Sequence, residues 1–151
     1  MAALNPGDIF AIETPGGTAY LQYTLRDPTM GPLIRVLPGL HEQVPDLGAL
    51  AQRRESFWLF FPLGSAVRRR IVRRVATAAI PDRARSMPLM RSPGPIEDGR
   101  VVRWAIMNGG DIVRWVDRLD SEERDLSERS IWNDTLLVER LQSGWSPRDW
   151  S

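Results

Sequence analysis

The side chains that most often carry hydrolytic chemistry are scarce in this sequence. It has one histidine, His41, no cysteine and no lysine, so arginine supplies all 20 basic residues. Without a thiol or a second imidazole, one chain cannot build a thiolate zinc site, an iron–sulfur cluster or a multi-histidine metal centre. Without an ammonium group, a P-loop lysine and a Schiff base are excluded. We therefore expect no cofactor, and favour a binding protein over an enzyme.

The single histidine gives little support to nucleophilic catalysis. A serine nucleophile needs a base within hydrogen-bond reach, and the usual base is histidine. His41 follows Pro38-Gly39-Leu40, a loop-like context that favours a solvated or packing role. The sequence also lacks the Gly-x-Ser-x-Gly elbow of serine hydrolases and the Gly-x-Gly-x-x-Gly fingerprint of dinucleotide-binding proteins.

Carboxylates are the reactive groups that remain, and residues 111–128 carry seven of them against three arginines. Hard cations such as magnesium take oxygen ligands, so a metal-assisted phosphoester or organophosphate hydrolase is the alternative function. The spacing does not match an EF-hand loop, and a solvated face with ion pairs is the simpler interpretation. A concentrated acidic surface can also steer a basic protein partner.

Tryptophan is abundant, with six residues in the chain, and most of these rings should be buried in the core. Trp132 lies between the acidic segment and a helix-like segment, so we expect it to be partly exposed. Tryptophan beside a polar rim is typical of binding hot spots. The candidate partner-binding residues are Asp111, Asp117, Asp120, Glu122, Glu123 and Trp132.

Arginine is concentrated in residues 68–74, which raises the question of nucleic-acid binding. The net charge is only +1, and no nucleic-acid reader motif is present, so a nucleic-acid partner is not favoured. Alternation with Ile71, Val72 and Val75 indicates a half-buried element with a charged outer face. Whether this segment pairs with the acidic residues 111–128 is left open by the sequence.

The elements that must position these residues are mostly strands in the first half. Turn-forming Thr14-Pro15-Gly16-Gly17 predicts a hairpin. A helical turn followed by a strand is favoured for residues 65–80, and a short helix with Asp46 as N-cap is predicted over 46–54. The predicted strands of this half cover residues 8–13, 19–25, 33–37 and the wholly apolar 57–61.

The second half contains a hairpin and a closing helix. Residues 81–99 look like a loop because prolines and Gly94 interrupt every period. Strands over 100–107 and 111–117 flank Asn108-Gly109-Gly110, a strong hairpin signal. A helix is predicted from about Asp134 to Ser143, with Asn133 or Asp134 as N-cap and Gly144 at its end. The pattern predicts a single mainly-β (α+β) domain over 1–151, a small antiparallel, twisted sheet or partly open barrel with one C-terminal helix and one or two short helices.

The expected location is the cytoplasm. The N-terminus shows no basic region followed by an apolar run, so a signal peptide is not expected. No stretch approaches the roughly 20 apolar residues that cross a bilayer, and we expect no membrane partner. The absence of cysteine suits a reducing compartment.

Two stretches carry a resemblance to a bacterial family. The opening Gly7-Asp8-Ile9-Phe10-Ala11-Ile12, with Gly16-Gly17 and Tyr20-Leu21-Gln22-Tyr23, resembles the start of the immunity protein 26 family, often grouped with HocA-type phosphotriesterase proteins. The segments Arg103–Ile106, Asp111–Arg114 and Ser130–Leu141 resemble the C-terminal half of that group. The resemblance implies a β-rich bacterial protein that neutralises a cognate toxin by stoichiometric binding. The phosphotriesterase label would imply organophosphate hydrolysis. One histidine cannot build the multi-histidine dinuclear centre of well-known phosphotriesterases, so such an activity would require another mechanism.

Overall fold

The computed structural model describes residues 3–150 and is built mainly from antiparallel strands. The larger sheet has five strands in the order β4-β3-β2-β1-β5. Each neighbouring pair in it is antiparallel. The strands of this sheet are β1 (Asp8–Thr14), β2 (Gly17–Asp27), β3 (Gly31–Val36), β4 (Phe57–Phe60) and β5 (Val72–Thr77).

Both faces of the larger sheet are buried. Successive residues of a strand point to opposite faces, and in the central strands the residues on both faces are apolar. Phe10 and Ile12 of β1 join the main core, where the helices α2 (Leu63–Arg68) and α3 (Asp134–Ser143) also contribute side chains. Ile9 and Ala11 point to the other face and pack with Leu50 of α1 (Leu47–Gln52). This explains why the sequence of β1 has apolar residues at successive positions.

A smaller sheet of three strands follows in the order β10-β9-β6. Its strands are β6 (Leu89–Pro93), β9 (Trp104–Asn108) and β10 (Asp111–Val116), and the two-residue strands β7 (Ile96–Glu97) and β8 (Arg100–Val101) form a separate hairpin between them. The prediction of a loop over residues 81–99 is wrong in part. Proline interrupts the local pattern there, yet Pro93 lies at the last position of β6, where a strand tolerates it.

The segment of residues 127–132 connects the two sheets. The amide of Arg91 in β6 donates to the carbonyl of Ser127, and the amide of Arg129 donates back to the carbonyl of Arg91. On the other side, Phe60 of β4 exchanges hydrogen bonds with the backbone of Ser130 and Trp132. Backbone pairing therefore runs from β6 through this segment to β4.

The helix ends follow the capping residues that the sequence offered. Asp46 accepts the amide of Ala49 at 3.0 Å before α1, and Asn133 accepts the amide of Leu136 at 2.8 Å before α3. Gly144 ends α3 in the left-handed conformation with φ of 69°, which glycine adopts without steric cost. These caps confirm the predicted helix positions to within about two residues.

The predicted fold class is confirmed: the chain is mainly β, its antiparallel sheets are not closed into a barrel, and it has one C-terminal and two short α-helices. The hairpin at residues 14–17 and the strand after the helical turn at 63–68 are also confirmed. Across the described residues, each helix is too short or too polar to span a lipid bilayer.

Candidate protein-binding surface

Four of the predicted acidic residues lie exposed at or just after β10. Asp111 begins β10, and Asp117, Asp120 and Glu122 follow it. Asp117 lies 3.7 Å from Arg103, an exposed pair that contributes little to stability. These four residues are exposed, but Asp111 lies at the start of β10 whereas Asp117, Asp120 and Glu122 follow its end.

Glu123 differs from its neighbours because its carboxylate is buried and occupied. Its Oε2 accepts Arg114 Nη2 at 2.8 Å, and its Oε1 accepts the amide of Asp120 at 2.9 Å. The amide of Glu123 in turn donates to Asp120 Oδ1 at 2.8 Å. This reciprocal pairing holds the 3-10 helix at Glu123–Asp125. Glu123 is therefore not available to an incoming partner.

Trp132 is buried, and the prediction of partial exposure is wrong. Its relative exposure is 3%, and its ring stacks on Phe57 with the centroids 5.4 Å apart. The ring of Trp145 contacts the Trp132 ring edge-on. The indole nitrogen of Trp132 donates to Ser130 Oγ at 2.9 Å. The residues before α3 pair with β4, which carries Trp132 into the core. It cannot serve as an exposed anchor.

Three exposed apolar residues lie instead close together in sequence on β10. Ile112 and Val113 are each 51% exposed and Trp115 is 43% exposed. β10 is at the edge of the small sheet, so one side of it has no neighbouring strand. Alternation in the sequence predicts a strand here but does not distinguish an edge strand from a central one.

Trp115 is held in place although it is exposed. The guanidinium carbon of Arg103 lies 4.8 Å from the centroid of its ring, within cation–π range. On another side, a Cβ at Gly94 would lie 2.9 Å from Cζ3 of Trp115 and 2.8 Å from the carbonyl oxygen of Arg103. Only glycine at position 94 allows the ring to lie this close to the backbone.

β10 contains a β-bulge at Val113. Ile112 pairs with Met107 and Arg114 pairs with Ile106, so Val113 is the additional residue. β5, at the edge of the larger sheet, has the same irregularity at Val75, between the paired Arg74 and Ala76. Bulges and charged residues on edge strands discourage unwanted pairing with other chains.

The arginine-rich segment has its own partners. Arg73 pairs with Glu13 at 3.0 Å, and Arg74 pairs with Asp8 at 3.3 Å. Within residues 3–150 no salt bridge joins residues 68–74 to the acidic residues 111–128. The arginines of this segment are exposed and Val72 is buried, as the interpretation of a charged outer face predicts, but Val75 is 38% exposed and does not belong to a buried face. The two charged segments do not neutralise each other through direct pairs.

Two arginines that the sequence did not single out are almost completely buried. Arg35 in β3 donates to Glu55, to Gln22 Oε1 and to the carbonyls of Ala51 and Arg53. Burial lowers the pKa of its guanidinium, and the hydrogen bond that Arg35 donates to Glu55 opposes this effect. No periodicity reveals such a residue, since arginine in a strand is ordinarily read as solvent-facing.

Arg91 in β6 is the second buried arginine. It donates to the carbonyls of Leu126, Pro147 and Trp150, and its guanidinium carbon lies 4.6 Å from the ring centroid of Trp104. Its Nη1 is buried without a hydrogen-bond partner among the described residues. Burial lowers the pKa of Arg91, and the charge of nearby Glu128 raises it.

The described residues offer few side chains that could bind a metal ion together. It holds no group of three or more histidine and acidic side chains arranged to bind a metal ion. His41 Nε2 lies 3.0 Å from the carbonyl of Pro38, and its ring packs against Tyr20 with the centroids 5.6 Å apart. These contacts fit the packing role that the sequence favoured for His41.

Comparisons with known proteins give no family for this chain. No family model matches it, and neither the curated proteins nor the solved structures include a significant match. The resemblance to the immunity protein 26 family therefore stays a prediction, and a function has to be argued from the molecule itself.

Proposed function

We propose that this chain is a protein-binding module that recognises a basic partner through β10 and the acidic residues around it. The observation that carries the proposal is the exposure of Ile112, Val113 and Trp115 on one edge strand. Exposed apolar residues rimmed by charged side chains are typical of protein interaction sites. Trp115 takes the anchor role that the sequence assigned to Trp132, because it is exposed and its ring is held before a partner binds.

The charge around β10 favours a basic partner. Asp111, Asp120 and Glu122 are exposed and lie in no salt bridge among the described residues. Exposed Arg118 and Arg124 lie in the same region, so the surface is mixed and its carboxylates contribute selectivity as well as attraction. Complementary charge mainly raises association rates and excludes wrong partners.

The partner contacts side chains and does not add a strand to the sheet. The bulge at Val113 breaks the regular ladder of β10, and an added strand needs a regular row of backbone groups. Aromatic and aliphatic side chains at the centre of an interface contribute most of the binding energy. Substitution of these side chains should therefore weaken binding directly.

The resemblance to the immunity protein 26 family supports a more specific role, neutralisation of a cognate toxin in the bacterial cytoplasm by a 1:1 complex. An immunity protein is expected beside its toxin gene, so the product of the adjacent gene is the partner to test. A stoichiometric inhibitor needs an accessible recognition surface and no catalytic centre, which agrees with the side chains present.

The experiment compares two matched valines in a complex with the adjacent gene product. Val113→Arg and Val75→Arg each place an arginine at the bulge of an edge strand, but only Val113 lies in the proposed surface. We expect Val113→Arg to raise the dissociation constant at least tenfold, a loss of roughly 1.4 kcal/mol of binding free energy. Val75→Arg should leave the dissociation constant unchanged. Equal effects of the two substitutions, or no complex with that product, would overturn the proposal.

The role of charge is tested by association kinetics. Glu122→Arg lies in the proposed surface, whereas Glu139→Arg changes an exposed glutamate of α3 outside it. For a basic partner, Glu122→Arg should lower the association rate and its dependence on salt, and Glu139→Arg should not. Identical rates for both variants would count against recognition by these carboxylates.

A further inference from the structure

A cavity of about 380 Å³ lies between the end of β3 and the C-terminal turn of α3. This volume is in the lower part of the range found for small-molecule sites, about 300–1,000 Å³. Most of its lining is apolar and comes from Val36, Leu40, Phe57, Leu141 and Trp145. None of the β10 residues belongs to this lining, so the cavity is separate from the surface proposed above.

Arg140 is the only charged side chain that lines this cavity. Its guanidinium carbon lies 4.5 Å from the ring centroid of Trp132 and 4.2 Å from that of Trp145. The two rings are inclined at 73° to each other, so the planar guanidinium can lie flat on at most one of them. Contacts with both rings position the cation at the cavity.

The N–H donors of Arg140 have no acceptor within residues 3–150. No hydrogen bond from the Arg140 side chain and no salt bridge to it is formed there. Glu128 is near enough for its charge to interact with that of Arg140, yet the two are not within 4.0 Å. By contrast, Arg35 and Arg91 each donate to several acceptors.

The other polar groups at the cavity include both donors and acceptors. Ser56 brings a hydroxyl, and Gln142 brings an amide whose oxygen already accepts the amide of Gly16 at 2.7 Å. The carbonyls of the last turn of α3 would repel an anion. Two of them are satisfied, since Trp145 donates to Arg140 and Gly144 donates to Leu141.

We propose that this cavity binds a small organic carboxylate, with the carboxylate on the guanidinium of Arg140 and the apolar body against Phe57, Leu40 and Trp145. Guanidinium and carboxylate pair through two parallel hydrogen bonds, which gives both energy and orientation. The apolar walls exclude inorganic anions as the preferred ligands, because those would leave the walls uncovered.

The test is a titration followed by tryptophan fluorescence and by amide NMR shifts. The probes are benzoate, benzamide and sulfate, which separate the charge of the ligand from its apolar body. We expect benzoate to bind at least tenfold more tightly than either of the others, with shifts confined to the cavity lining. If benzamide bound as tightly as benzoate, Arg140 would not recognise the carboxylate. If sulfate bound as tightly as benzoate, the site would attract anions in general and the apolar walls would have no role. Either result would overturn the proposal.

Two substitutions sharpen the result. Arg140→Met should abolish the preference for benzoate over benzamide, while Arg118→Met, at an exposed arginine outside the cavity, should leave it intact. Glu128→Gln removes the negative charge that competes for Arg140 and should tighten benzoate binding severalfold. A preference that survives Arg140→Met would overturn the proposal, and the wild-type comparison decides it even if that variant does not fold.

Discussion

Arg35 and Arg91 have the same structural role, one in each sheet. Each is an almost fully buried guanidinium that donates to backbone carbonyls of a chain segment lying against its sheet. They differ in charge compensation. Glu55 lies 2.9 Å from Arg35, whereas no carboxylate is within salt-bridge distance of Arg91 among the described residues. Removal of the two side chains should therefore have unequal costs.

Substitution of Arg35 by methionine should strongly destabilise the fold. It would leave the largely buried carboxylate of Glu55 and the amide oxygen of Gln22 without their partner. Breaking a buried pair in this way costs about 3–5 kcal/mol. Chemical denaturation measures the loss, with Arg26→Met at an exposed position of β2 as the control, expected within about 0.5 kcal/mol of wild type. Arg35→Lys should not restore stability, because an ammonium cannot reproduce the several directions of donation.

Substitution of Arg91 by methionine should cost less, about 1–3 kcal/mol, because its acceptors are backbone carbonyls and no described carboxylate lies within salt-bridge distance of it, although Glu128 would lose part of its charge compensation. The loss should be local. Amide hydrogen exchange should rise in residues 147–150, whose carbonyls Arg91 holds, and change little in β1. Global loss of protection equal to that of Arg35→Met would contradict this.

Glu128 should make the protein less stable as the pH rises. Burial raises the pKa of Glu128 above 4.5, against the lowering effect of Arg140 and Arg91. Between 4.5 and this raised value, the folded state binds more protons than the unfolded state, so the free energy of unfolding falls as pH increases. Glu128→Gln should therefore be more stable than wild type at pH 7. The difference should vanish below pH 4.5, and a difference that persists there would contradict this origin.

Asp27 should have the opposite pH dependence. Burial raises the pKa of its carboxyl, but hydrogen bonds from the amides of Met30 and Thr29 and from Arg129 outweigh it, and the net pKa lies below 3.8. Its contribution is complete above pH 3.8 and is lost as pH falls through the lowered pKa. Asp27→Asn should cost about 1–3 kcal/mol at pH 7. Asp111→Asn, at an exposed position, provides the control. Both variants are compared with wild type in urea titrations at pH 7 and at a pH below the lowered pKa of Asp27.

Gly94 should tolerate no side chain. A Cβ there would lie 2.8 Å from the carbonyl oxygen of Arg103, which is fixed by pairing with the amide of Gly94. Gly94→Ala should displace Trp115, change its fluorescence and cost about 1–3 kcal/mol. Gly110→Ala meets no atom within 4 Å and should keep the wild-type spectrum. An unchanged spectrum in Gly94→Ala would show that the ring is not held as described.

Sequence patterns predicted the elements whose signals are local. Asp46, Asn133 and Gly144 mark helix ends because capping depends on neighbouring backbone groups. The hairpin between β9 and β10 was predicted because its turn sequence, Asn108-Gly109-Gly110, is also a local signal. β6 was missed because its partner β9 is distant in sequence and because Pro93, at its last position, looks like a strand breaker although a strand tolerates it there.

The candidate surface was predictable only in part. The acidic residues around β10 are near one another in the chain, and the exposure of Asp111, Asp117, Asp120 and Glu122 is the ordinary state of charged side chains. The exposure of Trp115 and the burial of Trp132 depend on which strand lies at an edge and which segment pairs with β4. Those are properties of the complete fold, as are the acceptors that Arg35 and Arg91 find. Neither periodicity nor composition contains this information.

The pairing of Arg91 with residues 127–129 has a consequence for how this protein can vary. Residues 94–126 begin directly after β6 and end just before Ser127, which pairs with Arg91 of β6, so the two ends of this segment lie close together. The segment contains β10 and the acidic residues that follow it. Because β9 lies between β6 and β10, residues 104–108 have to be kept, whereas insertions or exchange at the turn of residues 109–110 and in the segment after β10 would leave both ends anchored. New recognition specificities could thus be grafted here while the larger sheet stays untouched.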